Sequence, residues 1–127
     1  MKAVLLDTHV WAWSLTGDYR LSERATKSMT EADRVLISPI SFFEIGQKVR
    51  LGKWPEMEPW VDKLATLVEE QGGLIADLDP VVCLSAGTMS WAHRDPFDRL
   101  LAATAARYSL PIISADAVFD GFVPRIW

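Results

Sequence analysis

The chain has 127 residues and a formal net charge of −4 at pH 7, a length at which one domain can bury a hydrophobic core without staples. Hydrophobic residues make up 50% of the chain and charged residues 24%, which excludes disorder as its main state. The acidic balance argues against purely electrostatic binding to nucleic acid, so nucleic-acid chemistry would need a local basic patch or bound cations.

Strand-like and helical segments alternate along the chain, which predicts a parallel sheet with helices on both faces. The predicted strands are Ala3–Leu6, Arg34–Ser38, Leu74–Ala76, Pro111–Ser114 and a short strand within Val123–Trp127. The predicted helices are Thr8–Leu15, Ser22–Glu31, Ile40–Arg50, Met57–Gln71, Val81–Met89 and Pro96–Tyr108. The last helix has the clearest apolar stripe and carries a proline in its first turn.

Acidic residues follow the predicted strands at the edge of the sheet where open α/β folds bind ligands. Asp7 follows the first strand directly, and Asp116 lies two residues beyond the strand that ends at Ser114. Glu44 lies near the start of the helix after the second strand. If the helices begin at the same edge, these carboxylates converge.

Asp98 is harder to place from connectivity. It lies in the first turn of the helix Pro96–Tyr108, and we expect a helix that leads into a strand to begin at the opposite edge unless a long bend intervenes. Its carboxylate also suits the positive end of a helix. Connectivity therefore does not bring Asp98 to the other acids.

Each of the other acids has a structural interpretation as well. Asp7 and Asp116 can cap the helices that follow them, and Asp95 is expected to cap the helix after it. Glu44 lies four residues before Lys48, the favoured order for a helix-surface ion pair of about 0.2–0.5 kcal/mol. Taken singly, each acid is better explained by structure than by catalysis.

The segments around the acids carry a family resemblance. They are LLDTH at Leu5–His9, SPISFFEIGQK at Ser38–Lys48, HRDPFDRLLAATA at His93–Ala105 and ISAD at Ile113–Asp116. In order and spacing they resemble the four acidic motifs of PIN-domain ribonucleases, and they look most like VapC-type toxins of bacterial type II toxin–antitoxin pairs. The resemblance extends from Val4 to Trp127, and RDPFDRLLAA is its most specific part.

The resemblance implies a three-layer α/β/α PIN-like fold with a central parallel sheet, as a single domain over residues 1–127. It implies that the family's acidic cluster consists here of Asp7, Glu44, Asp98 and Asp116. It places the family's small hydroxyl residues at Thr8, Ser41 and Ser114, and we expect Ser114 to orient a carboxylate. Asp95 is expected to support the cluster as a helix cap.

Crowded carboxylates cannot all stay ionised unless divalent cations neutralise them. Hard oxygen ligands favour Mg²⁺ or Mn²⁺, and such ions can activate a water for in-line attack on RNA, which predicts products with a 5′-phosphate. We expect Asp7 and Asp98 to bind the cation directly, and Asp116 to bind it directly or through water. Glu44 is expected to be a ligand or a base.

Cys83 is the only cysteine, which excludes an intrachain disulfide and a thiolate-based metal site and fits a reducing compartment. The apolar run before Asp7 is too short for a signal peptide, and no later stretch reaches the ~18 apolar residues of a membrane span. His9 and His93 make a poor zinc site. We therefore expect a cytoplasmic protein without a membrane partner.

Five basic residues near the second and third motifs are candidates to hold the RNA backbone: Lys48, Arg50, Lys53, Arg94 and Arg99. A solvated basic surface explains them equally well. Trp11 and Trp13 lie two residues apart on one helix, so they cannot face the same side and one is expected to be exposed. With Trp54, this predicts an apolar contact surface for a homodimer or an antitoxin peptide.

Other functions fit a small acidic α/β domain. A phosphoacceptor receiver needs an adjacent acid pair after the first strand and a lysine after the last, and the residues around Asp7 and beyond Ile113 supply neither. A haloacid-dehalogenase-type phosphatase needs a second acid where this chain has His9. A catalytically inactive RNA- or partner-binding module would keep the fold, and the intact acids in all four motifs count against it.

Overall fold

Five short strands form one parallel sheet in the computed structural model, which describes residues 2–127. The strands are β1 (Ala3–Leu6), β2 (Arg34–Ile37), β3 (Leu74–Ile75), β4 (Ile112–Ile113) and β5 (Arg125–Ile126). Their order is β3-β2-β1-β4-β5, so the chain builds the sheet outward on one side of β1 and then returns to its other side. This reversal opens a crevice at the carboxyl ends of β1 and β4, the usual ligand position in such sheets.

Six α-helices connect the strands within residues 2–127. They are α1 (Thr8–Thr16), α2 (Glu23–Glu31), α3 (Pro39–Arg50), α4 (Leu64–Glu70), α5 (Pro80–Thr88) and α6 (Pro96–Arg107). Most predicted helices and all predicted strands lie where the sequence pattern indicated, with ends that differ by a residue or two. None of the helices in this range combines the length and the apolar character that crossing a bilayer requires.

The predicted helix Met57–Gln71 is the main difference in the elements. The structure has a 3₁₀ helix over Pro55–Lys63 and then α4. Pro59 lies inside the 3₁₀ segment, where it lacks an N–H to donate and its ring opposes a regular α-helix. The apolar spacing alone therefore overestimated the α-helix.

The sheet is buried on both faces. Successive side chains of a strand point to opposite faces, so Val4 and Leu6 join the core that contains Trp11, and Leu5 joins the core that contains Leu101. Both cores lie between the sheet and helices, which is the three-layer α/β/α arrangement. The predicted fold class is confirmed.

α6 begins at the carboxyl edge of the sheet, and the expectation that it begins at the opposite edge was wrong. β4 starts a few residues after Arg107 and runs parallel to β1, so α6 must end near the amino edge. A helix that leads into such a strand runs antiparallel to it. α5 returns the chain to the carboxyl edge and so allows Asp98 to lie there: Asp79 at the start of α5 accepts from Tyr108 at the end of α6, and Ala86 near the end of α5 accepts from Arg99 near the start of α6.

The predicted exposed tryptophan surface is absent from the part of the chain that the structure describes. Trp11 is 2% exposed and Trp54 is 9% exposed, and the Trp54 ring stacks on His9 with 4.6 Å between centroids. Trp13 is half-buried and packs near Trp127. The expectation was wrong because Trp127 packs on Trp13 and Trp54 packs on His9, so both halves of α1 are covered by residues remote in sequence.

Candidate functional site

An acidic cavity of about 410 Å³ opens at the carboxyl edge of the sheet. It is lined by the predicted acidic residues, Asp7, Glu44, Asp98 and Asp116, and by Asp95. These side chains come from the end of β1, from α3, from the start of α6 and from the segment after β4. The fold thus brings together carboxylates that are remote in sequence.

A larger cavity of about 540 Å³ lies at the opposite edge of the sheet, around Lys2 and Pro111. Glu31 is the only carboxylate among its lining residues. It therefore lacks the clustered acids that distinguish the carboxyl edge, and size alone does not mark the site.

Asp7 is fixed by the sheet and by a serine. Its N–H donates to the carbonyl of Ile113 at 3.0 Å, and its Oδ2 accepts from Ser114 Oγ at 2.6 Å. The residue is 7% exposed. Although Asp7 occupies the N-cap position of α1, its side chain makes no capping hydrogen bond. Helix capping therefore does not explain this carboxylate.

The environment of Asp7 opposes its charge. Burial raises the pKa of the Asp7 carboxyl above the usual 3.8, and the nearby Glu44 carboxylate raises it further. The hydrogen bond from Ser114 and the neighbouring His9 lower the pKa but do not cancel the effect of burial. A bound cation would remove this penalty, because it replaces the lost solvation of the ionised form.

α3 presents a hydroxyl and a carboxylate one turn apart. Ser41 Oγ and Thr8 Oγ1 share a buried hydrogen bond of 2.8 Å, which joins the starts of α3 and α1. Glu44 is 5% exposed, and its Oε2 accepts from Lys48 Nζ. The ion pair suggested by the sequence does form, but it lines the cavity, and the Glu44 carboxylate is buried.

The start of α6 carries an acidic group supported by a histidine. Asp95 Oδ1 accepts from the N–H groups of Phe97 and Asp98, at 2.8 and 3.2 Å, and so caps the helix. Asp98 Oδ2 lies 2.7 Å from His93 Nε2. One ligand atom each from His93, Asp95 and Asp98 lie within 4.8 Å of one another, close enough to share a metal ion.

Asp98 also has an unusual proton affinity. Burial raises the pKa of its carboxyl to about 6, and the neighbouring carboxylates of Asp95 and Asp7 add to the rise, whereas the hydrogen bond with His93 lowers it. Asp98 and Asp7 therefore act on each other electrostatically across the cavity. This mutual repulsion is the property expected of carboxylates that hold a cation.

Asp116 caps a short helix and also lines the cavity. Its Oδ1 accepts from the N–H of Val118 at 3.0 Å and caps the short 3₁₀ helix Ala117–Phe119. Its own N–H donates to Ser114 Oγ at 3.0 Å. Ser114 thus links the backbone of Asp116 to the carboxylate of Asp7, and both acids line the cavity.

The structure gives three of the basic residues that were candidates for RNA binding, Lys48, Arg94 and Arg99, different surroundings. Lys48 lines the cavity, whereas Arg94 is exposed beside a different cavity that contains Cys83. The guanidinium of Arg99 donates at 2.7–2.9 Å to four backbone carbonyls, those of Ala86, Met89, Trp91 and His93. Arg99 therefore holds the segment that leads into α6, and we assign it a structural role in place of substrate binding.

One basic residue of the cavity lining, Arg20, was not among the residues predicted from the sequence. Arg20 lies beside the Trp13 ring, with its guanidinium carbon 4.9 Å from the ring centroid, and pairs with Asp18. An arginine two residues after an aspartate is common in turns, so the spacing is a weak signal. His9, which stacks on Trp54, also lines the cavity.

Known proteins share both the sequence pattern and the fold. A family model described as PIN domain matches residues 4–122. Ribonuclease VapC22 of Mycobacterium tuberculosis (strain ATCC 25618 / H37Rv) is 31% identical over 120 residues, which cover 91% of this chain and 88% of that protein.

Solved structures support the fold at lower identity. VapBC2 from Rickettsia felis, bound to a DNA fragment from their promoter, has a TM-score of 0.67 at 14% identity, covering 97% of this chain and 96% of that chain. A toxin–antitoxin complex from Klebsiella pneumoniae has a TM-score of 0.61 at 15% identity, covering 93% and 91%. FitAcB from Neisseria gonorrhoeae has a TM-score of 0.59 at 23% identity, covering 96% and 95%. With the family model and the sequence relative, these structures confirm the resemblance, and the chain belongs to the PIN domain family, among its VapC-type members.

Proposed function

We propose that this chain is a metal-dependent endoribonuclease and the toxin of a toxin–antitoxin pair. The observation that carries the proposal is the cavity in which Asp7 and Asp98, both with raised pKa values, meet Glu44 and Asp116. The relative named Ribonuclease VapC22 supports RNA as the substrate. Clustered carboxylates that repel one another have raised pKa values, and a cation bound between them would favour their ionised forms.

The donor set fits Mg²⁺ or Mn²⁺. It consists of carboxylate oxygens with the imidazoles of His9 and His93 beside them, and the exposed Cys83 is remote from it, beside another cavity. We assign Asp7 and Asp98 as direct ligands and Asp116 as a direct or water-mediated ligand. When bound, the cation would neutralise the carboxylates, polarise the scissile phosphate and lower the pKa of the attacking water.

The protein's own residues position these groups. Ser114 holds Oδ2 of Asp7, so the other oxygen, Oδ1, stays free for a ligand. His93 does the same for Asp98 through Oδ2. Glu44, held by Lys48, is a ligand or the acceptor of the water proton.

The reaction that we propose is hydrolysis by water. The water oxygen attacks phosphorus, the bond from phosphorus to the 3′-oxygen breaks, and the leaving 3′-oxygen takes up a proton. The products are one fragment with a 3′-hydroxyl and one with a 5′-phosphate.

The direct test is RNA cleavage by the purified chain with Mg²⁺ or Mn²⁺, with EDTA, and with the variant Asp98→Asn. We expect cutting only by the wild type with a cation, and 5′-phosphate ends that accept an adaptor by ligation. Asp62→Asn changes an exposed acid outside the cavity and serves as the matched control. Cleavage in EDTA, or 2′,3′-cyclic phosphate ends, would contradict the mechanism.

Two alternatives predict other outcomes. RNA binding without cleavage under any cation would favour the inactive binding module. Incubation with acetyl phosphate would give an aspartyl-phosphate on Asp7 if the chain were a receiver, and we expect none.

We also propose an antitoxin partner and a homodimer. The Klebsiella pneumoniae structure described as a toxin–antitoxin complex supports the first, since a chain of it shares this fold over 93% of the present chain. Light scattering of the purified chain tests the dimer, and mass spectrometry of proteins that co-purify from source cells tests the antitoxin. A monomer that purifies alone would contradict both proposals. The cytoplasmic location stays a prediction.

A further inference from the structure

Arg20 is held rigidly at the wall of the acidic cavity. Its Nε and Nη2 donate to the two carboxylate oxygens of Asp18 at 3.0 and 2.7 Å, and its guanidinium lies 4.9 Å from the centroid of the Trp13 ring. The backbone N–H of Arg20 also donates to Asp18 Oδ1 at 2.9 Å. The planar group is therefore fixed in its plane by a carboxylate and on one face by an aromatic ring.

The same guanidinium keeps unused donors. A guanidinium has five N–H groups, and Asp18 accepts from Nε and from one side of Nη2. Nη1 donates to no residue within 2–127, and the side chain is 54% exposed. The remaining edge, formed by Nη1 and the other side of Nη2, has the spacing that matches two oxygens of one phosphate.

The other basic residues near the site are less available to a substrate. Lys48 donates to Glu44, and Arg99 donates to backbone carbonyls. Arg94 lies beside a different cavity. The carboxylates of the cavity repel RNA wherever the proposed divalent cation does not neutralise them, so a fixed cationic side chain at the cavity wall offers the neighbouring RNA backbone an attractive contact.

We propose that Arg20 binds a backbone phosphate of the RNA next to the one that is cleaved, and that Asp18 and Trp13 hold it in position. This inference rests on the proposed ribonuclease function and adds a substrate-binding residue to it. Arg20 lines the same cavity as Asp7, Glu44, Asp98 and Asp116 but makes no hydrogen bond to any of them, which leaves its free donors available for a phosphate next to the one that the acidic cluster holds.

The test compares the wild type with Arg20→Ala and Arg20→Lys on a single-stranded oligoribonucleotide that the wild type cuts. Arg24→Ala is the matched control, since Arg24 is an exposed arginine of α2 that does not line the cavity. We expect Arg20→Ala to raise KM about tenfold with kcat within about threefold, as for the loss of one charge-assisted phosphate contact. Arg20→Lys keeps the positive charge but loses the two parallel N–H donors of the guanidinium, so we expect its KM to lie between those of the wild type and Arg20→Ala.

Salt dependence identifies the contact as a phosphate. With the inactive Asp98→Asn background, the slope of log Kd against log salt should fall by about 0.7 when Arg20 is replaced by alanine, which corresponds to one phosphate of a single strand. Neutral methylphosphonate placed at each linkage in turn should weaken wild-type binding at one linkage near the cut. The same replacement should have no further effect on the Arg20→Ala protein.

The outcomes separate the inference from the function on which it rests. If the wild type does not cut RNA, the proposed function fails. If the wild type cuts and Arg20→Ala matches Arg24→Ala in KM and salt slope, the inference alone is overturned. Thermal melting controls for folding. If Arg20→Ala melts well below the wild type, the decision falls to Arg20→Lys and to the methylphosphonate series on the wild type. A wild-type KM in Arg20→Lys, together with no linkage near the cut at which methylphosphonate weakens wild-type binding, would overturn the phosphate contact.

Discussion

Ser114 and Asp7 are 107 residues apart in the chain, yet the serine hydroxyl donates to the aspartate carboxylate at 2.6 Å. The contact is possible because β4 pairs with β1, so the residues that follow the two strands lie side by side. Ser114 Oγ also accepts from the N–H of Asp116. One hydroxyl therefore orders two of the acids that we propose as cation ligands.

Replacing Ser114 by alanine should weaken metal binding without unfolding the protein. The change removes the donor that orients Asp7 and further raises the pKa of that carboxyl, because the hydrogen bond lowers it in the wild type. Loss of such an outer partner costs about 10- to 100-fold in metal affinity. Titration calorimetry with Mn²⁺ measures the effect. Ser85→Ala, at an exposed position of α5, is the control, and equal affinities in both variants would contradict the role of Ser114.

Arg99 should matter for stability more than any other exposed or half-buried arginine. Its fork satisfies four carbonyls in the segment before α6, and lysine has neither the planar geometry nor enough donors to replace it. We expect Arg99→Lys to lower the free energy of unfolding by about 2–4 kcal/mol, measured by urea denaturation. Arg94→Ala, at an exposed position, should change it by less than about 0.5 kcal/mol. A neutral Arg99→Lys would contradict the structural assignment.

Bound cation should stabilise the folded protein. At a Mn²⁺ concentration 100 times the dissociation constant, the expected gain is about 2.7 kcal/mol, seen as a rise in Tm relative to EDTA. The rise should disappear in Asp7→Asn, which removes a carboxylate that we propose as a direct ligand. An equal rise in wild type and variant would place the cation elsewhere on the protein.

Periodicity and motif spacing predicted the fold and the acidic residues because both depend on local sequence. The buried run of β1 and the apolar stripe of α6 determine which faces are covered. Acids directly after parallel strands share an edge whatever the details of packing, which places Asp7 and Asp116 together. Only the family resemblance predicted that Asp98 joins these acids. Connectivity did not, because it suggested that α6 begins at the opposite edge of the sheet.

Arg99 and Arg20 are held in place by contacts that no local sequence pattern indicates. The acceptors of Arg99 are backbone carbonyls, which every residue has, so the sequence could not distinguish its role from that of Arg94. The position of Arg20 depends on Gly17, which ends α1 with a φ of 67°. This left-handed conformation turns the chain so that it runs back beside α1. Arg20 thereby returns to the ring of Trp13.

The charge of Asp98 should make the metal-free protein less stable as the pH rises through weak acid. Its pKa is raised from 3.8 to about 6, so between these values the folded protein holds a proton that the unfolded chain has released, and folding stability falls as the pH increases. After allowance for solvent screening, the contribution is about 1–2 kcal/mol.

Asp98→Asn removes this titration. In EDTA at pH 7 we therefore expect the variant to be as stable as the wild type or more stable, and the difference between them to shrink as the pH falls from 6.5 to 4. Urea denaturation at several pH values measures it, with Asp62→Asn as the exposed control. A variant that is less stable than the wild type at pH 7, with a difference that disappears as the carboxyl becomes protonated at low pH, would show that the ionised carboxylate stabilises the start of α6 through its interaction with the helix dipole. Its loss of cleavage activity would then reflect damage to the fold, and the assignment of Asp98 as a cation ligand would fail.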